Sequence, residues 1–92
     1  MIKSFRHAGI EKFFLTGSKA GIQPDHATRL GAQLLALNRA KSPEDLRLSG
    51  WGLHSLRGDL AGQWAIKVNA NWRLTFGFEK EDVVLLDYRD YH

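Results

Sequence analysis

The hydrophobic period of this 92-residue chain changes once, near Gly52, and that change restricts the fold more than any other feature of the sequence. Before Gly52, apolar residues recur with the spacing of amphipathic helices. These residues are Ile10, Phe13 and Phe14 in one segment and Ala27, Leu30, Leu34 and Leu37 in the next. After Gly52, apolar and polar residues alternate over 63–68 and 72–78, as in half-buried strands. The chain is therefore predicted to be α+β, with helices first and strands afterwards.

Local signals set the ends of the helical segments. Gly17 is placed to end a first helix over residues 7–15, because glycine readily adopts the left-handed conformation that closes a helix. Pro24 is placed to begin a second helix, since its fixed φ angle suits a first helical position. Pro43 repeats this pattern and predicts a short helical turn over 43–48.

Strand signals complete the predicted architecture. Residues 2–6 suit an edge strand, and 69–71 predict a tight reversal between two antiparallel strands. Residues 83–86 are apolar throughout, which predicts a strand covered on both faces. The result is an antiparallel sheet with a helical pair packed on its apolar face.

The other face of this predicted sheet is basic. It would display Lys67, Arg73 and Thr75, and we expect it to be open. The formal net charge of +3 favours polyanionic partners. An open, positively charged sheet face is suited to single-stranded RNA.

Composition and length set the class of protein. With 92 residues and 25% charged residues, the chain is predicted to form one globular domain, 1–92. The absence of cysteine excludes disulfides and thiolate metal sites. The first residues lack the apolar run of a signal peptide, and no stretch is apolar enough to span a bilayer. We therefore expect a soluble cytoplasmic protein with no cofactor and no membrane contact.

Seven residues are suited to cleaving RNA. Cleavage without a metal needs a base for the 2′-OH, a cation for the charged phosphorane and an acid for the 5′-oxygen. The candidate acid–base residues are His54, Asp90 and His92. The candidates for binding phosphate or bases are Arg57, Lys67, Arg73 and Tyr91.

Each candidate also has a purely structural interpretation. His54 can be an ordinary hydrogen-bonded histidine, the arginines can be surface charges, and residues 90–92 can be a solvated tail. A metal site formed by His54, Asp90 and His92 is a further alternative, although nothing in the sequence fixes its ligand geometry. On these grounds alone, the chain is a small basic α+β domain for which an RNA site is one interpretation.

Five strings span the chain from its first residue to its last: MIKSF at 1–5, LHSLRGD at 53–59, GQWAI at 62–66, NWRLTF at 71–76 and DYH at 90–92. In this order and spacing they resemble the HigB toxins of the RelE superfamily. NWRLTF and the terminal DYH are fairly specific in combination. The resemblance covers nearly the whole sequence.

The resemblance implies a RelE-like fold, in which a twisted antiparallel sheet packs against an N-terminal helical pair. It implies the toxin of a type II toxin–antitoxin pair, an endoribonuclease that cleaves messenger RNA in the ribosomal A site by 2′-OH attack. The implied partners are that messenger RNA and a HigA-like antitoxin with a helix-turn-helix fold. Operator DNA would be bound only through the antitoxin.

The active positions implied by the resemblance are His54, Arg57, Arg73, Asp90, Tyr91 and His92. Position 57 departs from the lysine that such toxins often carry. Arginine keeps the charge but does not transfer protons near neutral pH, so acid–base work falls to the other candidates. Two competing interpretations remain: a degenerate toxin that binds its antitoxin and RNA without cleaving, and a purely structural α+β domain.

Overall fold

The helical half of the chain folds as predicted, with ends set by local capping. The computed structural model describes residues 1–91. Helix α1 covers Ala8–Thr16, and the Ile10 backbone N–H donates to His7 Nδ1 at its start. Gly17, at φ +80°, closes α1 in the left-handed conformation that favours glycine. Helix α2 covers Ala27–Arg39.

Two predicted helix starts are observed as short 3₁₀ turns. Pro24–His26 forms one such turn and leads directly into α2, which confirms that the second helical segment begins at Pro24. Pro43–Leu46 forms the second, inside the predicted turn over 43–48. A further 3₁₀ turn, Gly58–Leu60, lies within the strand half of the chain.

The second half of the chain forms a four-stranded antiparallel sheet with strand order β1-β2-β3-β4. The strands are β1 (His54–Ser55), β2 (Trp64–Lys67), β3 (Trp72–Glu79) and β4 (Asp82–Asp90). The N-terminal segment lies alongside β4, where it forms isolated parallel bridges from Ile2 to Val83 and from Phe5 to Leu86. The predicted edge segment is therefore at the sheet edge, but it pairs at two points and is not a continuous strand.

Strand β4 differs from the prediction that residues 83–86 are covered on both faces. Val83 and Leu86 are buried, whereas Leu85 is 41% exposed. The β3–β4 register shifts between Thr75 and Gly77, and Leu85 has φ +58°. An extra residue in β4 thus forms a β-bulge that turns Leu85 to solvent.

The core lies between the helices and one sheet face. Ile10, Leu30, Leu34 and Leu37 of the helices form one buried cluster with Ile66, Leu74, Phe76 and Val83 of the strands. This arrangement confirms the predicted α+β class and the helical pair on the apolar face. Within the described residues, no helix is long and apolar enough to cross a membrane.

The opposite face is less open than the sequence predicts. Ala65 is fully buried and Thr75 is 2% exposed, so small side chains form the middle of this face. Lys67 is exposed and Arg73 is partly exposed at one end of it. The basic, accessible part is therefore confined to that end.

Candidate functional site

Three cations form a row across the sheet. Lys67 of β2 lies directly opposite Arg73 of β3, and Arg73 lies opposite Arg89 of β4. Directly opposed residues of neighbouring strands point to the same side of a sheet, so the three side chains share one face. We call them the cationic row. Like charges in opposed positions repel each other, so a bound anion would relieve that repulsion.

The β2–β3 turn holds the Arg73 side chain. Its Nη1 donates to the carbonyl oxygens of Asn69 at 2.8 Å, Trp72 at 3.1 Å and Ala70 at 3.4 Å. Asn69 also fixes the turn itself, because its Oδ1 accepts the backbone N–H groups of Asn71 and Trp72. Nε and Nη2 of Arg73 make no hydrogen bond to any residue that the structure describes. They can therefore bind a phosphate in bidentate fashion.

The Tyr91 ring lies beside Arg73 of the cationic row. Its ring centroid lies 5.8 Å from Arg73 Cζ, within the range of a cation–π contact. Arg89, the third member of the cationic row, is held by Asp87, because its Nε donates to Asp87 Oδ2 at 3.1 Å. The Asp87 hydrogen bond is the main reason why the pKa of Arg89 is raised, and Tyr91 adds to it. Tyr91 is 42% exposed, which leaves ring surface on which a base can stack.

His54 lies on the same face, in the row next to the cationic row. It is opposite Ala65, which is opposite Thr75, which in turn is opposite Asp87. His54 Nδ1 lies 2.9 Å from the carbonyl oxygen of Gly52. A carbonyl oxygen only accepts, so Nδ1 carries the proton. The neutral ring then has its lone pair on Nε2, which can take a proton from another group.

Arg57 lies beyond the other end of this face. The backbone N–H of Leu56 donates to the carbonyl oxygen of Gln63, so the chain after β1 runs away from Lys67. Arg57 then precedes the Gly58–Leu60 turn with its side chain exposed. Its position suits a phosphate further along a bound strand, not the phosphate beside Arg73.

The C-terminal candidates divide between the two faces of the sheet. Asp90 lies opposite Trp72, which places it on the helix-bearing face and not with the cationic row. Its charge contributes to the raised pKa of Tyr88, which is caused mainly by burial of the phenol. Tyr91 follows, and its backbone N–H donates to the carbonyl oxygen of Asn71. His92 lies outside the described residues.

The structure therefore brings Lys67, Arg73 and Tyr91 together, with His54 one row away. Arg57 and Asp90 lie elsewhere on the sheet: Arg57 precedes the Gly58–Leu60 turn, and Asp90 lies opposite Trp72 on the helix-bearing face. Among residues 1–91, no three His, Asp or Glu side chains are grouped so that they could hold a metal ion.

Sequence reasoning missed Arg89 and Asp87. It ended the last strand at residue 86, whereas β4 continues to Asp90. The bulge at Leu85 interrupts the alternation, which resumes with Asp87, Arg89 and Tyr91 on one side. This resumed two-residue period was the available signal.

Solved structures share this fold. The chain aligns with a chain of the heterotetrameric YoeB–YefM toxin–antitoxin complex from Staphylococcus aureus with a TM-score of 0.61, 16% identity and coverage of 100% of this chain and 98% of that chain. It aligns with YafQ from E. coli with a TM-score of 0.58, 12% identity and coverage of 98% and 93%. At such identities the likeness concerns the fold alone. The fold therefore places this chain in the class of small α+β proteins that share the fold of YoeB and YafQ.

Sequence comparison narrows that class to a family. The family model described as the RelE-like toxin of type II toxin–antitoxin system HigB matches residues 3–92. A relative from Proteus vulgaris, called endoribonuclease HigB, is 40% identical over 92 residues, which is 100% of both chains. The chain therefore belongs to the HigB-like toxin family of the RelE superfamily, as the resemblance of its sequence strings predicted.

Proposed function

We propose that this protein is a ribosome-dependent endoribonuclease that cleaves messenger RNA in the A site by metal-independent attack of a 2′-OH. One observation carries the proposal: His54, with Nε2 as its basic nitrogen, shares a sheet face with the cationic row. A proton acceptor beside three cations suits in-line attack at a phosphodiester. The name of the Proteus vulgaris relative supports the same reaction class.

In the proposed reaction, His54 Nε2 takes the proton from the 2′-OH. The 2′-oxygen forms a bond to phosphorus, and the bond from phosphorus to the 5′-oxygen breaks. His92 gives a proton to that leaving oxygen and Asp90 orients a histidine, so the products carry a 2′,3′-cyclic phosphate and a 5′-hydroxyl. Lys67 and Arg73 stabilise the charge that develops on the phosphorane.

The remaining candidates bind the RNA. Tyr91 stacks on a base, and Arg57 contacts a phosphate further along the strand. This assignment gives each candidate residue one task on an extended RNA that crosses the sheet.

The shape of this site supports the proposed ribosome dependence. The cationic row lies at one end of an exposed sheet face, where free RNA can bind in many orientations. Holding the attacking and leaving groups in line can contribute several kcal/mol, and we propose that the ribosome supplies this alignment. We therefore expect slow cleavage of free RNA.

We propose a HigA-like helix-turn-helix antitoxin as the protein partner. Membership of a type II toxin–antitoxin family supports an antitoxin in general, and the Staphylococcus aureus relative was solved as a complex of that kind. The antitoxin would bind operator DNA, and the toxin would act on translating ribosomes in the cytoplasm.

Induced expression in a bacterial host tests the proposed function. Wild type should arrest growth and create new 5′-hydroxyl ends inside translated reading frames. His54→Ala and His92→Ala, at equal protein level, should lose both effects because each removes a proposed proton-transfer group. Normal growth and unchanged messenger ends with well-folded wild type would instead favour the degenerate module that binds without cleaving.

A further inference from the structure

A polar stripe on one side of the α2 segment binds the end of the site-bearing hairpin. His26, Arg29 and Gln33 are spaced at i, i+3 and i+7, which places them on one helical face. Arg29 Nη2 and Gln33 Nε2 donate to the carbonyl oxygen of Lys67 at 3.0 and 2.8 Å. His26 reaches past them to Asn69, with 2.8 Å between His26 Nε2 and Asn69 Nδ2. Arg29 and Gln33 therefore contact the last residue of β2, and His26 contacts the turn that follows it.

The direction of the hydrogen bond between His26 and Asn69 can be deduced. Asn69 Oδ1 accepts the backbone N–H groups of Asn71 and Trp72, so Nδ2 is the atom that faces His26. An amide nitrogen only donates, and His26 Nε2 must therefore accept. The proton of the neutral ring is then on Nδ1, which donates to Tyr88 Oη at 2.6 Å.

Packing leaves the His26 ring little freedom. Its side chain belongs to a residue that is only 8% exposed. Trp72 and Tyr88 contact the ring edge-to-face, with centroids at 5.7 and 6.0 Å. Packing in the core thus fixes the position of the Nε2 lone pair. That lone pair accepts the hydrogen bond from Asn69 Nδ2 and so fixes the position of Asn69.

Two residues of the candidate site depend on the turn that Asn69 fixes. Arg73 Nη1 donates to the backbone carbonyl oxygen of Asn69 at 2.8 Å. The backbone N–H of Tyr91 donates to the carbonyl oxygen of Asn71, one residue past the middle of the same turn. A shift of this turn would move a cation and an aromatic ring of the site together.

We propose that His26 is a positioning residue for the RNA-cleaving site: its Nε2 holds Asn69, and through the 69–71 turn it places Arg73 and Tyr91. The inference rests on the proposed function for its effect on cleavage. The competing account is that His26 only fills space in the core. Under that account, an aromatic ring of similar size without nitrogen would serve equally well.

Three variants separate the two accounts. His26→Phe keeps a ring and removes both hydrogen bonds, whereas His26→Gln retains an acceptor near the position of Nε2. Tyr88→Phe removes the other hydrogen bond of His26 and leaves the link to Asn69 intact. Each of His26→Phe and Tyr88→Phe removes two hydrogen bonds, since Tyr88 Oη also accepts from the Gln23 backbone N–H, so the two variants should be similarly destabilised. The two variants differ in one respect: Tyr88→Phe keeps the hydrogen bond between His26 and Asn69, whereas His26→Phe loses it.

The kinetic readout is kcat on ribosomes programmed with a defined messenger. His26→Phe should lower kcat by about tenfold or more, because small misplacements of catalytic groups have large effects on rate. Tyr88→Phe and His26→Gln should stay within about threefold of wild type. Asn69→Ala breaks the same link from the exposed side together with the two Oδ1 hydrogen bonds of the turn, and should lower kcat at least as much as His26→Phe does.

Amide hydrogen exchange gives a readout that does not depend on activity. The Trp72 and Tyr91 amides should exchange faster in His26→Phe than in Tyr88→Phe. Equal exchange in these two variants, or a kcat for both His26→Phe and Asn69→Ala that matches wild type, would overturn the positioning role. A folded wild type that cleaves nothing would instead refute the proposed function, and exchange alone would then decide whether His26 holds the turn.

Discussion

At the scale of single residues, Arg73 and Arg89 of the candidate site differ in the groups that orient their guanidinium side chains. Arg89 is paired with Asp87, and its Nε–Oδ2 distance of 3.1 Å leaves its charge partly neutralised. Arg73 instead donates to three backbone carbonyl oxygens, which orient the guanidinium and, unlike a carboxylate, do not carry a full negative charge. Arg73 therefore retains more of its charge for an anion than Arg89 does, and we expect it to be the main phosphate contact.

Replacing Arg73 with methionine tests this assignment. Arg73→Met should lower kcat on programmed ribosomes by about 10²–10³-fold, the usual effect of removing one donor from a developing oxyanion. Arg47→Met is the matched control, because it removes the same charge from an exposed pair with Glu44 in which Nε and Oε2 are 2.7 Å apart. Exposed pairs contribute little to stability, so the control should stay folded and active. Equal kcat losses in both variants would show that net charge, not position, matters.

At the scale of elements, α1 depends on a close backbone approach. A Cβ atom at Gly9 would fall inside the van der Waals radius of the Gly21 carbonyl group, in the segment that precedes α2. Glycine at position 9 therefore lets α1 lie directly against that backbone. Gly31 on α2 is the opposite case, because nothing lies within 4 Å of the position its Cβ would take.

These two glycines give paired predictions of opposite sign. Gly9→Ala should lower the free energy of unfolding by about 1–3 kcal/mol, because the backbone must move apart. Gly31→Ala should raise it by about 0.4–1 kcal/mol, since alanine restricts the unfolded chain and suits a helix. Urea unfolding of both variants measures the difference. A destabilised Gly31→Ala together with an unaffected Gly9→Ala would contradict the packing described for these elements.

The sequence predicts elements well wherever a regular period continues. α1, the Pro24 start, the β2–β3 reversal and the period-two strands follow from local patterns of burial and capping. The continuation of β4 to Asp90 was missed because the bulge at Leu85 breaks the alternation by one residue. The positive φ angle of Leu85 thus explains why the sequence pattern did not predict the part of β4 that carries Arg89.

The candidate site was predictable only in part. The position of Arg73 follows from its predicted strand, but its contact with Tyr91 depends on the continuation of β4 to Asp90 and on the register of β3 against β4. The His26–Asn69 hydrogen bond joins residues that are 43 positions apart, which no local pattern shows. The i, i+3, i+7 spacing of His26, Arg29 and Gln33 was the visible signal, and it did not reveal what the stripe would contact.

At the scale of the whole molecule, a buried polar network joins the start of α2 to β4. Tyr88 is 4% exposed, accepts from the Gln23 backbone N–H at 3.3 Å and stacks on Trp72 with centroids 4.4 Å apart. Burial raises the pKa of its phenol, with a smaller contribution from the charge of Asp90. The folded state therefore favours the neutral form of Tyr88 more than the unfolded state does.

This shift predicts how stability depends on alkaline pH. Because the folded pKa lies above the unfolded value of about 10, the stability contributed by the neutral phenol is present below that pH and is lost as pH rises through the folded pKa. The difference in unfolding free energy between wild type and Tyr88→Phe should therefore shrink as pH rises above about 10. Urea unfolding at a series of pH values measures it. A difference that stays constant up to the highest pH at which the fold survives would contradict this role.

The central claim is that this HigB-like toxin cleaves messenger RNA on the ribosome, and that the attacking group is a 2′-OH of the messenger itself. The most direct measurement compares two messengers on programmed ribosomes, identical except for a single 2′-deoxyribose at the mapped cleavage position. We predict that wild type cuts the all-ribose messenger, leaves a 5′-hydroxyl end and fails to cut the substituted one. Equal cleavage of both messengers, or products that end in a 5′-phosphate, would contradict the mechanism.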